Sequence, residues 1–298
     1  MRKSWVCISL ALLTGLVWLA GCGVGQTPAL TATHAAPQRP TAVTEPAGWK
    51  LVFQDEFDGP AGVQPAQQNW NYDTGGSGWD DAERQYYTTA AENAVLDGNG
   101  MLKITALKAA NPSKSGLTCW YGACAYTSAR LVTRGRYNLT FGRVEARLRL
   151  PAGQGIGPGF WLQGADSEIN PWPANGEIDV ALSDGKDPAG VQAGIAGPGY
   201  SGAGAIRGVF KLSAGSFSDD YHVFAVEWDP EEIRWYGDGQ QYFALTPDKA
   251  PGKWVFDHRF YLGLSLAVGG SERGDPGQAV SFPQAMSVDY VRVFQRTE

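Results

Sequence analysis

The sequence predicts an all-β fold, an antiparallel β-sandwich, and three observations support this prediction. From residue 49 onward, short strand-like runs are separated by Gly, Pro, Asn and Asp. No amphipathic helix pattern occurs, and strands do not alternate regularly with helices. The roughly 250 residues of this part are enough for one large sandwich domain.

Three parts of the chain carry clear strand patterns. Residues 143–150 alternate between apolar and charged side chains, which predicts a half-buried strand with one solvated face. Residues 233–236 and 241–245 flank an Asp-Gly pair at 238–239, which is typical of a β-hairpin. Residues 288–294 alternate again and predict a strand near the C-terminus. A large sandwich of this kind can curve, and its concave sheet would offer a groove for an extended polymer.

The charge balance excludes some classes of partner. The chain has 24 Lys and Arg against 30 Asp and Glu, a formal net charge of −6. Loss of Arg2 and Lys3 with a leader would bring this to −8, which is −6 minus 2. An acidic, aromatic-rich surface argues against nucleic acid and anionic lipids as partners. We therefore expect a neutral ligand, and we expect the protein to be a monomer.

The N-terminus predicts export and a lipid anchor. Arg2 and Lys3 precede an uncharged apolar run over 5–20 that ends in Leu19-Ala20-Gly21-Cys22. Such a short run favours a secretory signal over a membrane-spanning helix. We predict a lipoprotein signal peptide at 1–21 that is cut before Cys22, where the new N-terminus is acylated. An ordinary signal peptide with a chance cysteine is the alternative.

The chain beyond the signal divides into a linker and one domain. Residues 22–47 carry the lipidated Cys22 and are rich in Thr, Ala and Pro, which predicts a flexible linker. A disordered segment with no spacing role is equally compatible with this composition. Residues 48–298 form the predicted domain. The whole protein would be held at a cell surface or periplasmic membrane face by its lipid alone.

The two cysteines of the predicted domain lie five residues apart. In an exported protein, Cys119 and Cys124 are expected to form a small disulfide loop. A zinc site would need two more soft ligands, and the only histidines are His34, His222 and His258. Zinc is therefore not expected.

Aromatic residues indicate a carbohydrate ligand. Trp79, Trp120, Trp161 and Trp172 lie in or beside Gly-rich or Pro-rich segments, where a ring tends to face a groove. Flat rings next to polar donors suit the C–H faces and hydroxyl rims of sugars.

Two carboxylates follow a Trp-Pro turn. In a strand, Glu177 and Asp179 point to the same face. Retaining glycosidases use two carboxyl groups about 5–5.5 Å apart, one as nucleophile and one as acid/base. A solvated, charged strand face is the alternative interpretation of this pattern.

Ten segments, in order along the chain, resemble glycoside hydrolase family 16, in the laminarinase-like group that acts on β-1,3-glucans. The matching segments are 51–59 (LVFQDEFDG), 85–88, 126–134 (YTSARLVTR), 142–151 (GRVEARLRLP), 172–179 (WPANGEID), 197–202 (GPGYSG), 217–228 (FSDDYHVFAVEW), 233–236, 254–258 and 288–294. The resemblance implies a β-jelly roll, similar to concanavalin A, with a sugar-binding cleft on its concave face.

The resemblance assigns roles to the two carboxylates and shows that the third motif position lacks a carboxyl group. The family motif is Glu-x-Asp-x-x-Glu, in which the first Glu is the nucleophile, the Asp assists it and the last Glu is the acid/base. Glu177 matches the nucleophile and Asp179 the assisting residue, but the acid/base position is Leu182. A related family form without a strand bulge would place the acid/base at Ala181 instead. Asp184 is the nearest carboxyl group that could stand in.

The resemblance also implies binding residues. Arg130, Trp161 and Trp172 match sugar contacts, although Arg130 is as easily interpreted as a structural ion pair. Glu56, Gly100 and Asp289 match a structural calcium site away from the cleft, where oxygen ligands suit a hard cation. A solvated strand carboxylate is the alternative for Asp289, and no catalytic cofactor is expected. Several cleft positions depart from the family pattern: Ala82, Gly157, Ala196, Ser265 and Glu272.

Three functions follow from these observations. The first is an exported lipoprotein that binds β-glucan-type polysaccharide with hydrolysis lost or strongly impaired, because Leu182 cannot donate a proton. The second is an active retaining endo-β-1,3-glucanase that uses Glu177 with a non-standard acid/base such as Asp184. The third is a structural domain whose groove no longer binds sugar.

Overall fold

A computed structural model describes residues 43–79 and 81–297. These residues form nineteen strands and three short 3₁₀ helices. The first ten strands are β1 (Trp49–Asp55), β2 (Asn71–Asp73), β3 (Gln85–Tyr87), β4 (Ala94–Leu96), β5 (Leu102–Lys108), β6 (Thr118–Cys119), β7 (Gly122–Ala123), β8 (Tyr126–Ser128), β9 (Arg130–Val132) and β10 (Gly142–Arg149). The others are β11 (Ile156–Gly164), β12 (Glu177–Leu182), β13 (Gly190–Ala196), β14 (Ile206–Lys211), β15 (His222–Trp228), β16 (Ile233–Gly237), β17 (Gln240–Leu245), β18 (Phe260–Val268) and β19 (Gln284–Arg296). The 3₁₀ helices are Pro112–Lys114, Gly202–Gly204 and Pro247–Lys249.

Two large sheets make up the fold. Seven strands form one sheet in the order β14-β13-β12-β11-β18-β9-β2. The other sheet has ten strands, with the order β17-β16-β15-β10-β19-β5-β8-β3, while β1 pairs with β19 and β4 with β5. Within the described residues, every strand pair except β3–β8 is antiparallel. The predicted all-β sandwich is confirmed.

The hydrophobic core contains side chains from both sheets. Phe160, Ile178 and Leu262 of the seven-stranded sheet share one buried cluster with Val144 and Val226 of the other. Alternation along each strand then directs the remaining side chains of the seven-stranded sheet away from this core. We call this outward side of the seven-stranded sheet the site face.

One predicted strand face is more buried than its sequence suggests. β10 does turn its apolar residues into the core, but Glu145 and Arg147 on the opposite side are also buried. Arg143 pairs with Glu145 at 2.9 Å and Glu227 at 3.0 Å. The expectation of a solvated face was therefore wrong, because neighbouring strands cover these charges with ion-pair partners.

The predicted hairpin is present. β16 and β17 are joined by Asp238 and Gly239, with φ values of 48° and 80°. Two consecutive positive φ values are typical of the tight turns that Asp-Gly pairs favour.

The predicted disulfide is present and closes the hairpin formed by β6 and β7. Cys119 and Cys124 are joined, with their Cα atoms 5.1 Å apart. Trp120 at the tip is 51% exposed, and its indole Nε1 donates to the Glu83 carbonyl at 2.7 Å. The loop is therefore attached to the segment that precedes β3.

The N-terminal predictions fall largely outside the described residues. The signal peptide at 1–21, the lipidation of Cys22 and most of the linker at 22–47 all remain predictions. Within the residues that the structure describes, none of the helices has the length and apolar character needed to span a membrane.

Candidate functional site

Three residues of β12 share the site face. The register places Glu177 beside Gln163 of β11, Asp179 beside Trp161 and Leu182 beside Gly159. Glu177 and Leu182 are half-buried and Asp179 is buried.

A β-bulge decides which residue follows Asp179 on this face. On β11, Trp161 pairs with Asp179 but the preceding Phe160 pairs with Ala181, so Val180 is the extra residue. Ala181 consequently joins the hydrophobic core, whereas Leu182 packs against the buried cluster that contains Trp161. Of the two registers considered for the family motif, the structure has the bulged one.

A tryptophan of the opposite sheet supports the bulge. The fully buried Trp235 of β16 donates its indole N–H to the backbone carbonyl of Asp179 at 2.7 Å. This hydrogen bond satisfies a carbonyl next to the interrupted ladder, and it fixes the backbone that carries the carboxylates.

Asp179 differs from Glu177 in its electrostatic environment. Asp179 is only 2% exposed, and burial raises the pKa of its carboxyl group well above the usual range. The charge of Glu177 and a hydrogen bond between the two side chains raise the pKa further. The raised pKa favours the protonated form of Asp179, and its Oδ1 has no hydrogen-bond partner among the described residues. An unsatisfied buried oxygen is typical of a site that receives a ligand or water.

Arg130 lies between two tryptophans on the site face. Its guanidinium carbon is 4.0 Å from the Trp161 ring centroid and 5.0 Å from that of Trp79. Its Nε pairs with Asp73 at 3.3 Å, and Arg134 pairs with the same carboxylate. The predicted sugar contact Arg130 is thus held by both ring contacts and an ion pair.

The two predicted tryptophan contacts differ in access. Trp161 is on the site face but only 3% exposed, because Arg130 covers it and the ring lies over Gly263. Its Nε1 donates to the Ser265 hydroxyl at 3.2 Å. Trp172 is half-buried at the turn before β12, and its Nε1 has no partner among the described side and main chains. Of the two, Trp172 has the more accessible ring, whereas its Nε1 is a buried donor without a partner.

Charged residues occupy the other end of the site face. A side chain at Gly157 would meet Arg273, whose Cδ lies 2.7 Å from the ideal Cβ position. Arg273 itself pairs with Asp81 at 2.7 Å and Glu83 at 3.0 Å. An ion-paired arginine therefore covers Gly157, one of the cleft positions that depart from the family pattern.

Glu272 reaches an unexpected partner. It follows β18, yet its Oε2 lies 3.4 Å from Nη1 of Arg207 on β14. Lys186 donates from Nζ to the Glu272 backbone carbonyl at 3.3 Å. Arg207 is two strands from Asp179, with only Gly194 between them in the register.

Asp184, the suggested replacement acid, lies in the turn after β12. Its Oδ1 accepts hydrogen bonds from the backbone N–H groups of Lys186 at 2.9 Å and Asp187 at 3.4 Å. The carboxylate is therefore engaged within its own turn.

The predicted calcium ligands lie on the ten-stranded sheet. Glu56 and Gly100 come from segments that flank β19 on its two sides, near Asp289. However, Arg292 binds both carboxylate oxygens of Glu56, at 2.7 and 2.9 Å, and Arg147 donates to Asp289 at 2.5 Å. Within the described ranges, no group of three or more His, Cys, Asp or Glu side chains has a metal-binding arrangement. This arrangement does not fit a cation unless an arginine is displaced, and calcium stays a prediction.

Sequence reasoning missed several residues of the site face. Arg207, Asp73 and Arg273 come from separate parts of the chain and have no motif of their own. Asp73 ends a three-residue strand, which is too short to show alternation. The order of the strands in the sheet brings Asp73 and Arg207 to this face, and the loop after β18 brings Arg273 there.

Comparison with known proteins identifies the family. Residues 82–292 match Glycosyl hydrolases family 16. A beta-glucanase of Rhodothermus marinus is 38% identical over 259 residues, which cover 84% of this chain and 86% of that protein. The glucan endo-1,3-beta-glucosidase A1 of Niallia circulans is 36% identical over 276 residues, covering 85% of this chain but 39% of that protein. The solved laminarinase catalytic domain of Thermotoga maritima MSB8 matches with a TM-score of 0.77 at 38% identity, covering 84% and 99% of the two chains.

The chain therefore belongs to glycosyl hydrolase family 16. Its sandwich is the jelly roll of the laminarinase structures that it matches. The resemblance inferred from the ten sequence segments is confirmed at the level of family and fold.

Proposed function

We propose that this protein is an exported lipoprotein whose domain binds β-glucan-type polysaccharide, with hydrolysis lost or strongly impaired. The assignment to β-glucan is supported by the names of two relatives, a beta-glucanase and a glucan endo-1,3-beta-glucosidase. Export and the lipid anchor rest on the sequence of residues 1–22.

One observation carries the proposal of impaired hydrolysis. Leu182 is the next residue of β12 after Asp179 that faces outward on the site face. Cleavage with retention needs one carboxylate to attack the anomeric carbon and a second group to protonate the leaving oxygen. Glu177 can attack, but an aliphatic side chain cannot donate a proton. Both steps of the reaction suffer, because the same group must later deprotonate the attacking water.

The retained carboxyl pair supports a site that still accommodates sugar. The carboxyl groups of Glu177 and Asp179 are hydrogen-bonded to each other on the site face, and the Glu177 oxygens can accept hydrogen bonds from sugar hydroxyls or attack carbon. The Arg130 guanidinium supplies N–H donors on the same face, although Asp73 already uses part of them. These features suit a neutral polyhydroxylated ligand.

An active retaining endo-β-1,3-glucanase is the second candidate. It is favoured by the retention of both Glu177 and Asp179, which a pure binding protein does not need. Asp184 would then have to give up the hydrogen bonds within its turn to reach the leaving oxygen. This requirement argues against Asp184 as the acid/base of such an enzyme.

Affinity electrophoresis together with a hydrolysis assay tests the proposal. We expect gels containing laminarin or another β-glucan to retard the domain relative to gels without polysaccharide. We expect little release of reducing ends from laminarin in solution. Absence of retardation in every β-glucan would support a structural domain whose groove no longer binds sugar. Rapid Glu177-dependent hydrolysis would support the second candidate.

A further inference from the structure

The loop after β18 crosses the site face. Glu272 follows β18, but its carboxylate contacts Arg207 of β14, and β11, β12 and β13 lie between those two strands. Four steps between neighbouring strands span about 19 Å. The loop is held from two sides, because Asp81 accepts a 3.0 Å hydrogen bond from the Ser271 N–H and Lys186 donates to the Glu272 carbonyl. The Glu272 side chain is therefore presented over the strands that carry the carboxyl pair.

The register brings this carboxylate close to the reacting groups. Arg207 and Asp179 flank Gly194 on neighbouring strands, and a glycine leaves no side chain between them. The charges of both members of the ion pair act on Asp179: Glu272 raises the pKa of that carboxyl group and Arg207 lowers it. Glu272 thus lies within electrostatic reach of the centre where hydrolysis would occur.

The ion pair leaves Glu272 free to change partner. The side chain of Arg207 is 25% exposed and that of Glu272 is 44% exposed. The 3.4 Å distance from Arg207 Nη1 to Glu272 Oε2 is longer than a strong charge-assisted hydrogen bond. Exposed pairs of this kind contribute little to stability. A bound sugar could therefore draw the carboxyl group toward the groove at small cost.

We propose that Glu272 is the catalytic carboxyl group that replaces the proton donor missing at Leu182 and supports slow residual hydrolysis. This inference rests on the proposed function, since it concerns the same impaired site. The loop position explains why turnover stays slow, because a side chain on a loop is positioned less firmly than one on a strand.

The proposed reaction has two steps. In the first, a Glu177 oxygen forms a bond to the anomeric carbon while the bond from that carbon to the leaving oxygen breaks, and Glu272 gives its proton to the leaving oxygen. In the second, a water oxygen bonds to the same carbon while the Glu177 ester bond breaks, and Glu272 accepts the proton from water. The configuration is retained and Glu272 ends in its starting state.

Glu272→Gln tests the inference, with Asp275→Asn as a matched control. Asp275 is a carboxylate on the same loop, and it pairs with Arg84 away from the carboxyl pair. We expect Glu272→Gln to lower the residual release of reducing ends from laminarin at least tenfold, to the level of Glu177→Gln. Asp275→Asn should match the wild type. Affinity electrophoresis verifies that the variants still fold and bind laminarin.

Azide and an activated substrate separate proton transfer from binding. A nitrophenyl β-1,3-glucoside has a leaving group that departs without protonation, so Glu272→Gln should still form the Glu177 ester. Sodium azide, which needs no general base, should then accelerate turnover of this variant and yield a β-glycosyl azide. The wild type should respond much less.

The outcomes distinguish this inference from the proposed function. Unchanged laminarin hydrolysis in Glu272→Gln, or a loss that follows weaker binding alone, would overturn the inference. Wild-type protein that binds laminarin but shows no Glu177-dependent cleavage of either substrate would overturn it and leave the binding function standing. Rapid laminarin hydrolysis that Glu272→Gln abolishes would support the inference and overturn the proposed impairment.

Discussion

Restoring a carboxyl group at position 182 should restore hydrolysis. Leu182 faces outward on β12 beyond the bulge, on the same face as Glu177 and Asp179. The facing residue on β11 is Gly159, whose missing side chain leaves room: a Leu182 methyl carbon lies 3.1 Å from the position that a Cβ there would take. Glu is close to Leu in size, so Leu182→Glu can be accommodated without displacing the strand.

The expected gain follows from the chemistry of proton donation. A general acid contributes about 10²–10⁴-fold to such a reaction. This range corresponds to roughly 3–5 kcal/mol of activation free energy. We expect the lower end for Leu182→Glu, because Leu182 also packs against the cluster around Trp161 and the new side chain gives up part of that contact.

The assay is the release of reducing ends from laminarin by the wild type, Leu182→Glu and two control variants. Leu182→Gln is the matched control, since its amide has the same shape but cannot exchange a proton in this way. The double variant Leu182→Glu/Glu177→Gln checks that the gain uses the attacking carboxylate. Equal rates for Leu182→Glu and Leu182→Gln would refute the reasoning, and would mean that the altered residues elsewhere on the site face limit turnover.

Four further predictions address the site and its supports. The fold raises the pKa of the Asp179 carboxyl group, so this group ionises at lower pH in the unfolded chain, from about pH 4 upward, than in the native state. The free energy of unfolding should therefore fall as the pH rises from about 4 toward the native pKa. Asp179→Asn should remove that fall and raise the unfolding temperature at pH 7; an unchanged pH slope between pH 4 and 8 would contradict this. Arg130→Met should weaken laminarin retardation about tenfold, which is about 1.4 kcal/mol, because it removes the guanidinium between the tryptophans; equal retardation would show a purely structural role. Gly263→Ala would put a Cβ 2.2 Å from a ring atom of Trp161 and should lower the free energy of unfolding, measured in urea, by about 1–3 kcal/mol. Gly204→Ala is the control, because the space around Gly204 is open, and it should change that free energy by less than about 0.5 kcal/mol. The predicted calcium ion should raise the unfolding temperature of the wild type but not of Glu56→Gln; identical temperatures in calcium and in chelator would argue that the arginine pairs are the final arrangement.

The sequence predicted the features that local patterns control. Alternation and the Asp-Gly turn predicted the sandwich and the hairpin at 238–239, and the order of the ten segments that resemble the family led to the family. The same reasoning placed Glu177 and Asp179 on one face, as a period of two residues requires. It left open whether Ala181 or Leu182 came next, because a bulge has no distinct sequence pattern. The register with β11 and the hydrogen bond from Trp235 settle that order in the structure.

The rest depends on which strands become neighbours. The charged side of β10 looked solvated because the partners of Arg143 and Arg147 lie 84 and 142 residues away in sequence. Trp161 was expected as an open platform for a sugar, but Arg130 from β9 covers it. The contact between Glu272 and Arg207 joins parts of the chain 65 residues apart, and no motif connects them. Such contacts become visible only when the sheet order is known.

The central claim is that the site binds glycan and keeps its attacking carboxylate but lacks a proton donor on the same strand. The most direct test is the turnover of laminarin by the wild-type protein, measured beside Glu177→Gln. Since glycan-cleaving enzymes with a complete carboxyl pair fall within the usual kcat range of about 1–10³ s⁻¹, we predict a Glu177-dependent rate at least about a hundredfold below the middle of that range. A Glu177-dependent rate within the usual range would contradict the claim.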